Sequence, residues 1–148
     1  MTDDIFKVAV VGAGGTGAYY GGALARGGAE VTMIARGPHL EAIRVNGLRL
    51  KSVLLGDFRV DSAATDDMSS IGVVDLVIFA VKSWGTDDAI AAMSGLVGDG
   101  TMIISMQNGI DSEPLLSKAF GAEHVLGCTA VVSAMISEPG VVTQAGGP

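Results

Sequence analysis

"FKVAVVGAGGTGAYYGGALARGG", Phe6 to Gly28, passes from a β-branched apolar run through a glycine-rich turn into a stretch of small residues. Phe6 to Val11 reads as a buried strand, Thr16 to Arg26 as a helix, and Gly27-Gly28 as its stop. Between them, Gly12-Ala13-Gly14-Gly15-Thr16-Gly17 fits the pattern G-x-G-x-x-G. In a chain with 22 glycines the pattern alone says little. Directly after a strand and directly before a helix, it points to a dinucleotide. Gly12 would form the tight turn, Gly14 would let a pyrophosphate approach the backbone, and Gly17 would let helix and strand pack closely. The competing reading is a purely structural strand-to-helix turn.

"AEVTMIAR", residues 29–36, is a second strand one helix away, which predicts a right-handed parallel βαβ crossover. An NAD or FAD site would usually end this strand on Asp or Glu to hold the ribose hydroxyls. Here the end reads Ile34-Ala35-Arg36, and the acid, Glu30, stands at the wrong end. Arg36 suits a 2′-phosphate, so the cofactor is read as NADP(H), against the alternative of a solvated surface arginine.

Further along, "GPHLEAIRVNG" predicts a short helix entered at Pro38, and "LRLKSVLLGDFRVDSAAT" a hairpin around Gly56. "DLVIFAVK" and "TMIISMQ" read as buried strands. "TDDAIAAMSGLVG" reads as a helix capped by Thr86, and "SEPLLSKAFG" as a helix with Ser112 as N-cap and Pro114 in its first turn. "HVLGCTAVVSAMI" is strand-like, and "VVTQA" after the turn "SEPG" is expected to run antiparallel. The alternation predicts an α/β fold, a Rossmann-type doubly wound, mostly parallel sheet with helices on both faces. Residues 1–148 are expected to form one such domain.

Nine basic and sixteen acidic residues give a net charge of −7, with no basic cluster, which opposes binding to nucleic acid or to an anionic membrane. Cys128 is the only cysteine, so no internal disulfide forms, and a buried structural thiol is expected. The start is acidic and no apolar run approaches the ~20 residues of a membrane span, so a cytoplasmic location is expected. His39 and His124 have no partner at a useful spacing, and no chemistry is assigned to them. Asp66-Asp67 and Asp87-Asp88 read as helix-start or solvated carboxylates.

Two polar side chains stand where strands deliver them to the carboxyl edge of the sheet, the usual ligand edge of this architecture. Lys82 closes "DLVIFAVK" and would either support a phosphate or merely solubilise the surface. Asn108, in "ISMQNGI", offers donor and acceptor to a nicotinamide carboxamide, a substrate hydroxyl or a carboxylate, although Asn-Gly is also a favoured turn. Trp84 would cover part of the cofactor or pack beside the loop.

Together "VAVVGAGGTGAYYGGALARGGAEVTMIAR", "VIFAVKSW", "ISMQNGI" and "SAMISEPGVV" resemble, in content and order, the 2-dehydropantoate 2-reductases, also called ketopantoate reductases. The resemblance implies that Gly12, Ala13, Gly14, Gly15, Thr16 and Gly17 hold the pyrophosphate of NADPH. It implies further that Arg36 and Lys82 hold the adenosine phosphate and that Ala134 lines the cofactor site. Asn108 would lie between nicotinamide and a 2-keto acid substrate. The family's general acid is a lysine in a helical second domain that these 148 residues do not contain. The chain is therefore expected to bind NADPH without catalysing reduction unaided, and to self-associate through apolar residues that this domain would cover. The competing functions are the NADP-binding domain of a 3-hydroxyacid or sugar-acid dehydrogenase and a non-catalytic NADP(H)-sensing module.

Overall fold

The computed structural model describes residues 4–147. β1 (Lys7–Val11), α1 (Gly15–Arg26), β2 (Glu30–Ile34) and α2 (Gly37–Asn46) follow one another as the sequence suggests. β3 (Leu48–Ser52), β4 (Gly56–Val60) and β5 (Ala63–Thr65) come next, then β6 (Leu76–Phe79), α3 (Thr86–Ala92) and β7 (Met102–Ser105). The last elements are α4 (Ser112–Phe120), β8 (Val125–Leu126), β9 (Ser133–Glu138) and β10 (Val141–Gly146).

Six strands form a wholly parallel sheet in the order β5-β2-β1-β6-β7-β8. The chain winds outward from β1 in one direction and from β6 in the other, so the order reverses between these two strands. That arrangement is the doubly wound α/β fold, and the crevice at the reversal is its usual ligand site. Because both faces of such a sheet are covered, its central strands are apolar throughout. Val8 and Val10 pack with α1 and α2 residues Ala18, Tyr19, Leu40 and Ile43, while Ala9 and Val11 pack with α3 and α4 residues Ala89 and Leu116.

A second sheet, in the order β4-β3-β10-β9, corrects the expectation of a single sheet. The hairpin of β3 and β4 is antiparallel, as is the β9–β10 pair, but β10 runs parallel to β3. The alternation of "LRLKS" buries Leu48 and Leu50, which join Val142 against α1. Helix α1 is thus clamped between two sheets. A methyl group at Gly21 would lie 2.6 Å from Val10 on one side, and one at Gly22 would lie 2.4 Å from Leu50 on the other. Glycine costs a helix interior roughly 1 kcal/mol relative to alanine, an amount that close packing on both sides offsets. Buried Ser52 donates to Gln144 Oε1 at 2.7 Å, satisfying polar groups where β3 meets β10.

Three local expectations also need correction. Thr86 is the first residue of α3 instead of its cap, and its hydroxyl donates to the Ser83 carbonyl at 2.9 Å. Ser112 lies inside α4, buried and paired with Ser105 Oγ at 2.6 Å, while Asp111 takes the cap position. Cys128 is half-buried, because "HVLGCTAVVSAMI" divides into β8 and β9 and leaves the cysteine on the connection. Among the described residues no helix is long and apolar enough to cross a membrane.

Candidate functional site

The sheet register brings the chemistry to one edge. Val11 pairs with Ile34 on one side and Phe79 on the other, and Phe79 pairs with Ser105. Ala80 N–H extends the ladder to the Val11 carbonyl, and Met106 N–H to that of Phe79, both at 2.8 Å. Within a few residues beyond this line lie the glycine loop, Arg36, Lys82 and Asn108.

Two clefts open there, and they meet at the loop. One, of about 250 Å³, is lined by Gly14, Gly15, Thr16, Lys82, Trp84 and Asn108, among others. The second, of about 240 Å³, is bounded by Gly12, Ala13, Gly14, Arg36 and His39. Gly14 and Val81 belong to both. The edge therefore offers a long, divided trough with Arg36 at one end and Asn108 at the other. Lys82 lies on the Asn108 side, apart from Arg36. Ala134 lines neither cleft; its carbonyl oxygen would be 2.2 Å from a methyl at Gly15, so it buttresses the loop from the second sheet.

The glycines of the motif have different physical roles. Gly12 adopts φ +97°, a region that favours glycine, and a side chain there would meet Val81 N at 2.7 Å. A methyl at Gly17 would sit 2.3 Å from the Gly12 carbonyl oxygen, so this position holds α1 against β1. At Gly14 a methyl would meet no atom of the chain within 4 Å. Packing explains the first two glycines and leaves the third for something outside the chain.

Electrostatics at the loop favour an anion. Helix α1 starts without a side-chain cap and without an acid in its first turn. Its leading N–H groups have no intrahelical acceptor and carry the positive end of the helix dipole. Arg26 donates to the Leu55 carbonyl and stacks over Phe58, Arg44 pairs with Glu41, and Arg59 pairs with Asp61. Arg36, by contrast, is exposed and forms no ion pair among the described residues, and neither does Lys82. Both cations stand at strand ends without an acidic neighbour to hold them.

His39 is a site residue that sequence reasoning missed. Gly140 N–H donates to its Nδ1 at 2.9 Å, so Nδ1 must be unprotonated. The remaining proton is then on Nε2, which donates to the Ala13 carbonyl at 2.9 Å. One neutral imidazole thus ties the glycine loop to the β9–β10 turn. Burial lowers its pKa from the ordinary 6.5, partly opposed by the bond to Ala13. A lowered folded-state pKa means that the unfolded chain takes up the proton first. The bridge's contribution is full above about pH 6.5 and is lost as the pH falls through the lower folded-state value. Thermal melts between pH 7.5 and pH 5 should show a steeper loss of Tm for the wild type than for His39→Gln; parallel curves would contradict it. His124, the other histidine, pairs through Nδ1 with the Thr101 carbonyl at 2.7 Å, away from both clefts.

At the opposite end, β7 stops at Ser105 and delivers Gln107 and Asn108 to the cleft. Asn108 is exposed, and no protein partner is recorded for its side chain among the described residues, which leaves its amide free to bind. Lys82 is the single ionisable side chain among the residues lining that cleft.

The family model described as "Ketopantoate reductase PanE/ApbA" matches residues 8–148. The 2-dehydropantoate 2-reductase of Pyrococcus horikoshii is 36% identical over 140 residues, covering 95% of this chain and 44% of the relative. That of Halobacterium salinarum is 39% identical over 144 residues, covering 95% and 46%. The crystal structure of 2-dehydropantoate 2-reductase from Geobacter metallireducens superposes with a TM-score of 0.89 at 36% identity, over 95% of this chain and 46% of that one. The chain spans about half the length of the curated relatives it matches. With the fold, the glycine loop and this similarity in agreement, the chain belongs to the ketopantoate reductase family.

Proposed function

We propose that residues 1–148 are the NADPH-binding domain of a 2-dehydropantoate 2-reductase-type oxidoreductase. The observation that carries this reading is the open space at Gly14, where two clefts meet over the uncapped start of α1. The trough suits an extended ligand with an anionic middle. The pyrophosphate would lie at Gly14 to Gly17, the 2′-phosphate at Arg36, and the nicotinamide beside Asn108. Lys82, next to shared residue Val81, would add positive charge near the middle of the ligand.

Bound NADPH would supply the hydride for reduction of the substrate ketone. This chain's contribution is to orient the reactants. The loop N–H groups anchor the pyrophosphate, Arg36 fixes the adenosine end, and the Asn108 amide donates to substrate oxygen while accepting from the carboxamide. No acid lines the Asn108 cleft to protonate the developing alkoxide, so the proton would come from the remaining half of a family-length protein. Exposed Trp84 and Ile110, with Trp84 on the cleft wall, are the surface such a half would cover.

Titrating NADPH into the 148-residue chain while following Trp84 fluorescence tests binding directly. Saturable quenching is expected, and no response up to millimolar NADPH would overturn the cofactor reading. In a family-length protein, Asn108→Ala should lower kcat/KM for the keto acid by roughly 10- to 100-fold, the loss of about 1–3 kcal/mol at one hydrogen-bonded group. Ketopantoate-dependent NADPH oxidation by the isolated 148 residues at a rate comparable to the longer protein would refute the division of labour.

A further inference from the structure

Lys82 and Asn108 reach one cleft from different strands, and a single side chain spans the gap between those strands. Gln107 follows the end of β7, and its carboxamide crosses to the end of β6. Nε2 donates to the Val81 carbonyl at 2.8 Å and to Thr86 Oγ1 at 2.9 Å. Thr86, buried at the start of α3, passes its own proton to the Ser83 carbonyl. The two N–H groups of the amide are therefore used on the two ends of the segment Val81–Thr86. A flipped amide would set Oε1 against the Val81 carbonyl, oxygen facing oxygen, so the orientation is fixed by the hydrogen bonds.

Between those anchors, Lys82, Ser83 and Trp84 are all exposed, with Trp84 at 85%. Ser83–Gly85 forms only one short 3₁₀ turn, closed by Gly85 N–H to the Lys82 carbonyl. A turn of this length has little stability of its own. The exposed middle cannot hold itself against the cleft through packing.

We infer that Gln107 is a positioning residue, which sets the distance between Asn108 on its own strand and the Lys82–Trp84 wall opposite. This inference rests on reading the cleft as the cofactor site. Gln107 touches neither cofactor nor substrate in this role; it acts through Lys82 and Trp84. Asn108 follows directly in the chain, so the same brace limits both walls.

Gln107→Met keeps the side-chain volume and removes both donors, and Thr86→Val removes the acceptor from the other end. Far-ultraviolet dichroism and a melt establish that each variant folds. Trp84 is the chain's only tryptophan, so its steady-state anisotropy and acrylamide quenching report this segment without any ligand. Both variants should lower the anisotropy and raise the quenching constant; unchanged values would overturn the brace. NADPH affinity is then measured for Gln107→Met in the wild-type and the Lys82→Ala backgrounds. A loss of about tenfold is expected with Lys82 present and less than about twofold without it, the signature of coupled groups. Equal losses in both backgrounds would overturn the inference, since Gln107 would then act independently of Lys82. If the wild-type chain bound no NADPH, the cofactor reading would fall, and the brace would be decided by Trp84 mobility alone.

Discussion

Gly14→Ala is expected to weaken NADPH binding by roughly 10- to 100-fold, about 1–3 kcal/mol, while leaving Tm unchanged. Its backbone, at φ −75° and ψ −163°, is open to any residue, and the added methyl would touch no protein atom. The methyl would stand in the trough, where it would hold a pyrophosphate away from the loop N–H groups. Gly17→Ala should do the opposite kind of damage. There the methyl would lie 2.3 Å from the Gly12 carbonyl oxygen, with Val10 and Ala80 at 3.0 and 3.1 Å. Because the nearest atom is backbone, relief requires moving α1 or the loop. Overpacking of this severity costs at least the usual ~1–3 kcal/mol. For a domain of this size, that corresponds to a fall in Tm of up to roughly 10 °C. Melts and NADPH titrations on the two variants separate the roles. Wild-type affinity in Gly14→Ala would remove the pyrophosphate from this loop, and an unshifted Tm in Gly17→Ala would contradict the packing argument.

The glycine loop was legible in the sequence because its parts are consecutive. Strand, turn and helix from Lys7 to Arg26 are bound by local geometry, and the burial period of "VAVV" reports a sheet covered on both faces. Arg36, Lys82 and Asn108 could be read as edge residues for the same reason, since each ends or follows its own strand. What could not be read was the joining of distant segments. β3 and β10 pair in parallel, with Ser52 bonded to Gln144 across 92 positions, and alternation along either strand does not name its partner. Nor did the sequence disclose that Gly22 faces a second sheet.

The two missed polar residues failed for a related reason. His39 bridges backbone groups of Ala13 and Gly140, which lie 26 and 101 positions away. Gln107 bonds to the Val81 backbone and to Thr86 across 26 and 21 positions. A backbone carbonyl has no residue signature, so no spacing rule between side chains reveals such a contact. The available signal was weaker: a histidine just after Pro38 at a helix start, and a glutamine beside an exposed asparagine at a strand end.

Arg36→Ala is expected to weaken NADPH by about 10- to 100-fold, from the loss of about 1.5–3 kcal/mol in charge-assisted hydrogen bonds, and to leave NADH binding nearly unchanged. The argument turns on which cation is free. Arg26, Arg44 and Arg59 are held by carbonyls, an aromatic ring or carboxylates, whereas Arg36 is exposed beside the glycine loop without an acid. With a net charge of −7, the chain as a whole repels an anionic ligand, so the preference must come from this local positive group. Because Arg36 is solvent-exposed, salt should erode the wild-type preference, and the gap between wild type and variant should narrow as ionic strength rises. Arg36→Lys should fall between them, since an ammonium keeps the charge but loses the planar fork that bonds two phosphate oxygens together. Affinities for both cofactors at two salt concentrations decide the matter. Equal losses for NADPH and NADH would mean that Arg36 supports the loop or the pyrophosphate instead of the 2′-phosphate, and an unchanged NADPH affinity would remove it from the site.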